Sequence, residues 1–340
     1  MNERRPLGFG VVGLGVGEQH VHAIYSNHDC DLKAVYDLDV DLAYRVSSEL
    51  SRVNVVHGFQ ELLDDSEIGA IVIASYDDNH YEQVIGALEA GKHVFVEKPL
   101  CRSLEELSII KECLVEARGR LVLRSNLILR AAPLYQWLRN EIMSGQLGRL
   151  YALDGDYLYG RIERITTGWR SAVDGYSVIT GGGVHLVDLM LWVTGERPVA
   201  VSAVSNGIST EETTFRPDDF VAATLEFGSG MIARVTANFG CVHRHQHVIR
   251  VFGTKATFLN DDNGARIHTS RDPNVEVQEI GLAPVAEHKG DLIAGFVADI
   301  VSGSVGSQNT KAQAVLDTIS VCVAIDRATQ SRHSEKVIYV

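Results

Sequence analysis

Apolar residues in the first third of the chain fall in short unbroken runs, at 8–12, 32–36, 53–56, 70–74, 93–96 and 121–123. Runs this short and continuous read as strands buried on both faces of a parallel sheet. Between them, 20–27, 40–50, 80–90 and 104–117 repeat their apolar positions at helical spacing. Ser103 with Glu106 three positions later predicts a capped start for the last of these helices, and Gly91 a stop for the third. The alternation predicts an α/β fold with a doubly wound parallel sheet.

The pattern changes after Asn126. A helical stretch at 132–143 ends at Ser144-Gly145, a strand is expected at 149–159, and 184–193 reads as a helix. From 199 to 258 the period falls to two, with turn signals at Phe227-Gly228-Ser229-Gly230 and Gly253-Thr254. Apolar stripes at 290–301 and 311–329 predict two closing helices. The second half therefore reads as α+β around one large, open-faced, mostly antiparallel sheet. The expected domains are 1–125 and 126–340.

Composition narrows the partners. The 340 residues are 45% hydrophobic and 22% charged, enough for two ordinary cores at about 150 residues each. A formal charge of −13 argues against nucleic acid, which needs concentrated Lys and Arg. No apolar run approaches the roughly 20 residues that span a bilayer, and the start lacks a signal peptide's apolar stretch. The five scattered cysteines suggest neither a disulfide framework nor a zinc knuckle. A cytoplasmic protein with reduced thiols and no membrane partner is expected.

Gly13-Leu14-Gly15-Val16-Gly17 lies between the first strand and the first helix. Glycines there let backbone N–H groups approach a pyrophosphate seated on the helix N-terminus. Glu18 occupies the place of the third glycine in the usual spacing. Asp37 closes the second run, where a carboxylate accepts hydrogen bonds from an adenosine ribose and repels a 2′-phosphate. This combination predicts NAD in preference to NADP, with Gly13, Gly15, Val16, Gly17 and Asp37 at the cofactor.

Further along stand Ala74-Ser75-Tyr76-Asp77-Asp78-Asn79-His80 and Glu89-Ala90-Gly91-Lys92-His93-Val94-Phe95-Val96-Glu97-Lys98-Pro99-Leu100. With Asn126, Leu147-Gly148 and Gly182-Gly183-Val184-His185-Leu186-Val187-Asp188, they make the chain resemble the glucose-fructose oxidoreductase/inositol dehydrogenase (Gfo/Idh/MocA) family along essentially its whole length. The resemblance implies an N-terminal Rossmann domain, an open-sheet C-terminal domain, and NAD(P)-dependent oxidation or reduction of sugars, cyclitols or sugar nucleotides. It implies cofactor contacts at Ser75, Asp77, His80, Glu97, Lys98 and Asn126, and a homodimer or homotetramer through the C-terminal sheet. It assigns proton transfer to Lys98, with His185 completing the site and Lys98-Pro99 expected as a cis peptide. The chemistry agrees: hydride transfer from an alcohol needs a group to take the hydroxyl proton, and a partly desolvated Lys or a His serves. No metal is expected.

The sequence departs from the family at Gly181, where relatives carry an Asp four residues before the His. Asp188 or Asp174 is a candidate replacement, Tyr176 is a candidate proton donor, and Lys98 with His185 acting alone is a further alternative. Tyr157, Tyr159, Trp169 and Tyr176 can stack on sugar rings, and Arg161, Arg164 and Arg170 can pair a carboxylate or phosphate. Trp169-Arg170 resembles a pair near the nicotinamide in sugar-nucleotide relatives, which implies that Trp169 and Arg170 also contact the cofactor. In Cys241-Val242-His243-Arg244-His245-Gln246-His247, an extended backbone would set the three imidazoles on one face, where they could bind a metal or, as expected here, line substrate or a subunit contact. The expected substrate residues are Lys98, Tyr159, Arg170, Tyr176, His185, Asp188 and His243. The leading reading is an NAD-dependent dehydrogenase or ketoreductase acting on a ring carbon of a sugar, sugar acid or sugar nucleotide. The alternatives are an NAD-recycling glycosidase or lyase and a non-catalytic dinucleotide-binding protein.

Overall fold

The structure, a computed structural model, describes residues 5–173, 175–303 and 305–340, with side chains in the last span from 310 onward. Six strands, β1 (Leu7–Val12), β2 (Cys30–Tyr36), β3 (Asn54–Val55), β4 (Ala70–Ile73), β5 (His93–Val96) and β6 (Leu123–Ser125), form a parallel sheet in the order β3-β2-β1-β4-β5-β6. Helices α1 (Gly17–Tyr25), α2 (Val40–Ser48), α3 (Phe59–Asp64), α4 (His80–Glu89) and α5 (Leu104–Glu116) connect them. β4 is buried at every position because both faces of the sheet are covered. Two details differ from the pattern reading. The six-residue α3 is too short to show helical periodicity. β6 begins two residues late because the Val122 N–H goes to His93 Nδ1 rather than into the ladder. The Ser103 cap forms, with its hydroxyl accepting from the Glu106 N–H at 3.1 Å, while Glu106 Oε2 accepts from the Arg102 N–H at 2.7 Å.

The second sheet is built differently. After α6 (Pro133–Met143) come β7 (Leu150–Leu158), α7 (Glu163–Thr166), a 3₁₀ turn at Trp169–Ala172, a π-helical turn at Ile179–Gly183 and α8 (Val184–Thr194). Then follow β8 (Pro198–Asn206), β9 (Phe220–Phe227), β10 (Ile232–Asn238), β11 (Gln246–Gly253), β12 (Thr257–Asp261), β13 (Gly264–His268) and β14 (Gln278–Glu279). The chain closes with α9 (Ile293–Ser302), α10 (Val305–Ser331) and β15 (Glu335–Lys336). The order is β14-β13-β12-β11-β7-β10-β9-β8-β15, antiparallel except where β7 and β10 run parallel. One face buries Leu153, Tyr157, Val235 and Leu225. The other carries Asp154, Asp156 and Arg234, with Arg234 held to Asp154 by two 2.6 Å hydrogen bonds. α8 is buried along nearly its whole length and packs closely on the sheet at Gly155, where a Cβ would lie 2.8 Å from Met190 Cε.

The compact units do not follow a division at 125/126. One comprises Met1–Ile128, Glu287–Leu316 and Val340; the other comprises Leu129–Ala286 and Asp317–Tyr339. The cause is α9, whose Ile293, Phe296 and Val297 join the first sheet's core with Val21, Ile24 and Val35. Phe296 meets Phe9 and Phe95 at ring-centroid distances of 6.3 and 5.6 Å. Burying a side chain of this size contributes roughly 1.5–3 kcal/mol, which ties the segment to the parallel sheet.

Candidate active site

In the first unit the residues expected at a cofactor gather at the carboxyl ends of β1, β2, β4 and β5, the end where doubly wound sheets bind ligands. Gly13 has φ +81°, and a Cβ there would lie 2.5 Å from the Ala74 carbonyl and the Ser75 nitrogen. Only glycine fits that conformation and that approach. A Cβ at Gly15 would meet nothing within 4 Å, so this stretch of the turn is open. α1 has no side-chain cap at Val16, so an anion at the turn would face the positive end of the helix dipole. Glu18 would oppose a phosphate there, but Arg45 grips both of its carboxylate oxygens at 2.8 Å and holds its carboxyl below the usual range. Asp37 is fixed against the turn by the Leu14 N–H at 2.5 Å and accepts from the Asp39 N–H at 2.8 Å.

Ser75 donates to Gln83, and Asp77 is buried in the same loop. His80 was expected at the cofactor, but its side chain is fully buried. Its Nδ1 lies 2.7 Å from the Pro99 carbonyl and its Nε2 3.2 Å from the Ser75 carbonyl. Its ring therefore ties the two loops together. The Lys98-Pro99 peptide is cis, as the resemblance implied. Glu97 Oε1 sits 2.9 Å from His20 Nε2 and accepts from Asn126 Nδ2 at 2.7 Å. Asn126 Nδ2 also donates to the Lys289 carbonyl, which fixes the amide's orientation. Its buried Oδ1 has no hydrogen-bond partner among the described residues and is an acceptor suited to a carboxamide N–H or a hydroxyl. The open glycine turn, the uncapped helix, Asp37 and this acceptor fit a nicotinamide dinucleotide. His20 went unnoticed in the sequence, although its place in the apolar stripe Gly17, His20, Val21, Ile24 marks it as a polar residue on a buried face.

In the second unit the site elements come from three strand ends and one helix start. Tyr157 on β7 is the register partner of His247 on β11, and Phe239 follows β10. His185 is the second residue of α8 and is 7% exposed. Its ring stacks on Tyr157 at 6.3 Å and meets His247 edge-on at 5.9 Å. His245 lies 5.0 Å from His247, and Tyr159 lies 6.0 Å from Tyr157. The Arg161 guanidinium lies 5.7 Å from the Tyr159 ring centroid. Burial pushes the Tyr157 phenol up, with Tyr159 adding to the effect, while the nearby Arg170 and Arg161 charges pull it back. Arg170 itself rests on Trp169, 4.4 Å from the ring centroid.

Glycines in the π-helical turn make room for these rings. A Cβ at Gly182 would lie 2.4 Å from Tyr157, and one at Gly181 would lie 2.0 Å from the Tyr176 hydroxyl oxygen. The Tyr176 phenol thus fills the space where the family carboxylate would project. Asp188 does not supply that carboxylate. It is 1% exposed and gripped by Arg130 through Nε at 2.9 Å and Nη2 at 2.5 Å, with Thr318 donating at 3.2 Å. Asp174 lies outside the described residues. His243 is also placed elsewhere. The chain becomes a strand only at Gln246, so the alternation fails before it, and His243 turns to Asp262 at 3.2 Å. The Arg244 carbonyl first, then Asp262, raises its pKa. Asp326 was missed: burial raises its carboxyl to about 7 against the 2.7 Å bond from Ser177, whose oxygen accepts from the Ile179 and Thr180 N–H groups. All five cysteines are free, and burial pushes Cys101 and Cys322 up.

Residues 7–124 match a family model described as an oxidoreductase family with an NAD-binding Rossmann fold, and residues 135–259 match the GFO/IDH/MocA C-terminal domain. Inositol 2-dehydrogenase 2 of Saccharopolyspora erythraea is 29% identical over 199 residues, 58% of this chain and 56% of its own length. The D-glucoside 3-dehydrogenase of Escherichia coli is 27% identical over 315 residues, 84% of this chain and 85% of its own. A levoglucosan dehydrogenase solved with NADH and levoglucosan shares the fold at a TM-score of 0.84 and 20% identity, covering 99% of this chain and 100% of that one. Among the described residues no helix is long and apolar enough to cross a membrane.

Proposed function

Because the chain belongs to the Gfo/Idh/MocA family of oxidoreductases, with an NAD-binding Rossmann domain at its N-terminal end, we propose that it moves a hydride between NAD and a CH–OH carbon of a sugar or cyclitol ring. The observation that carries this is the placement of Lys98, just past the carboxyl end of β5 in the sheet whose β1 turn is built for a pyrophosphate. NAD, when bound, accepts or returns the hydride. Lys98 takes the proton of the substrate hydroxyl in oxidation and returns it in reduction. In the second unit His185 is the candidate for binding substrate hydroxyls by hydrogen bonding. Tyr176, filling the space beside Gly181, stands in for the missing carboxylate.

The imidazole and aromatic rings around His185 suit a polyhydroxylated ring, and Arg161 and Arg170 suit a substrate with an added carboxylate or phosphate. The relatives' names (inositol, glucoside, levoglucosan) support a ring polyol or sugar. Trp169 and Arg170 are proposed to meet the nicotinamide side of the substrate. The polar sheet face, with a cavity of about 430 Å³ lined by Asp154, Asp156, Arg234 and Arg332, is proposed to pair copies into a homodimer or homotetramer. A cytoplasmic setting is proposed, supported by the five free thiols.

A panel of cyclitols, free sugars, sugar acids and sugar nucleotides, with NAD and NADP compared and reduced-nicotinamide absorbance followed, tests the proposal. Turnover on a ring polyol or sugar with NAD preferred is expected. Binding of NAD without turnover across the panel overturns it.

A further inference from the structure

We infer that the buried trio His20, Glu97 and Asn126 fixes a counter-charge beside Lys98 and thereby sets how tightly the Lys98 amine holds its proton. The role given to that proton rests on the function proposed above; the placement of the charge does not. Glu97 precedes Lys98 directly. Its side chain is only 13% exposed, and both strong contacts fall on one oxygen, His20 Nε2 at 2.9 Å and Asn126 Nδ2 at 2.7 Å. The second oxygen is turned towards the loop, 3.4 Å from the Lys98 N–H.

Three elements meet at this carboxylate. α1 supplies His20, which is fully buried and packed edge-on against Phe95 at 5.4 Å. The end of β6 supplies Asn126, and the segment before α9 anchors Asn126 through the Lys289 carbonyl while the Lys289 N–H holds Gln19 at 3.1 Å. The charged or titratable groups acting on Glu97 are His20 and Lys98. His80 reaches the loop only through the Pro99 carbonyl. Burial alone would push the Glu97 carboxyl up, but His20, Asn126 and Lys98 outweigh it and hold it at about 2. The negative charge therefore persists at every working pH. A fixed anion beside an amine favours its ammonium form. His20 and Asn126 act through Glu97 and are positioning residues.

The test reads Lys98 directly. Lysines of the full chain are reductively methylated with ¹³C, and the Lys98 signal is identified by its loss in Lys98→Arg and titrated by NMR. In Glu97→Gln, which keeps the shape and removes the charge, the Lys98 pKa is expected to fall by about one unit or more. A change of less than about 0.3 unit overturns the inference. In His20→Gln, whose amide can still donate to Glu97, the carboxylate remains and Lys98 is expected to stay or rise; a fall of about one unit or more there makes the effect structural and overturns it too. This second variant keeps the question open to refutation should Glu97→Gln not fold, and an unchanged circular-dichroism spectrum and Tm are the folding control. The readout needs no turnover, so a Lys98 titration that behaves as expected alongside a catalytically dispensable Lys98 would overturn the proposed function and leave the charge assignment standing.

Discussion

The two sheets solve different problems. In the first unit the chemistry is built from backbone: a glycine turn, an uncapped helix and strand ends that follow one another in a short stretch of chain. In the second unit it is built from side chains that meet only after β7, β10 and β11 align, so that Tyr157, Phe239 and His247 stand together beside the start of α8. The first arrangement suits a ligand part with fixed geometry, a pyrophosphate and a ribose. The second suits a ligand part that varies, because rings and charges can be exchanged on strand ends without disturbing the ladder.

The largest expected effect tests whether catalysis belongs to the first unit. Lys98→Ala should lower kcat by about 10²–10⁴ while NAD affinity holds, measured by steady-state rates and titration. Retained turnover would move the chemistry to the second unit. Next, Arg130→Met leaves the buried Asp188 carboxylate without its guanidinium. A loss of about 3–5 kcal/mol of stability is expected by denaturant unfolding, and no loss would return Asp188 to the list of free site carboxylates. Third is Asp326. Burial raises its carboxyl from 3.8 to about 7, so its ionisation is harder folded than unfolded. Stability is intact below about pH 4 and falls as pH rises through about 7. Asp326→Asn should remove that loss, raising Tm at about pH 8 by far more than at about pH 4, with roughly a few kcal/mol at stake. An equal change at both pH values would mean that the Asp326 carboxyl is not raised by folding. The smallest effect is His243→Ala, where an unchanged Tm and unchanged kcat/KM are expected. A clear loss of kcat/KM would return His243 to the substrate site.

The same contrast explains what could be read from the sequence. Buried parallel strands announce themselves as continuous apolar runs, and the glycine turn, Asp37 and Lys98-Pro99 lie at fixed places relative to those runs. The partner of a charged residue has no such marker. Asp188 and Arg130 are far apart in sequence, and only the packing of α8 shows that they bond. His243 looked equivalent to His245 and His247 because alternation was carried back past the true start of β11. α9 displayed its apolar stripe plainly, yet a stripe does not say which sheet it covers. His20 was legible after all, since an imidazole among Gly17, Val21 and Ile24 breaks the pattern of its own helix.

The return of α9 to the parallel sheet also bears on how the protein is made. A ribosome releases residues 1–128 long before Ile293, Phe296 and Val297 exist, so the nascent nucleotide unit waits with the Phe9 and Phe95 side of its core uncovered. The other unit's main segment, Leu129–Ala286, emerges during that wait. The part of the chain synthesised first is therefore among the last to be finished, and a fragment cut after 128 would keep that uncovered side.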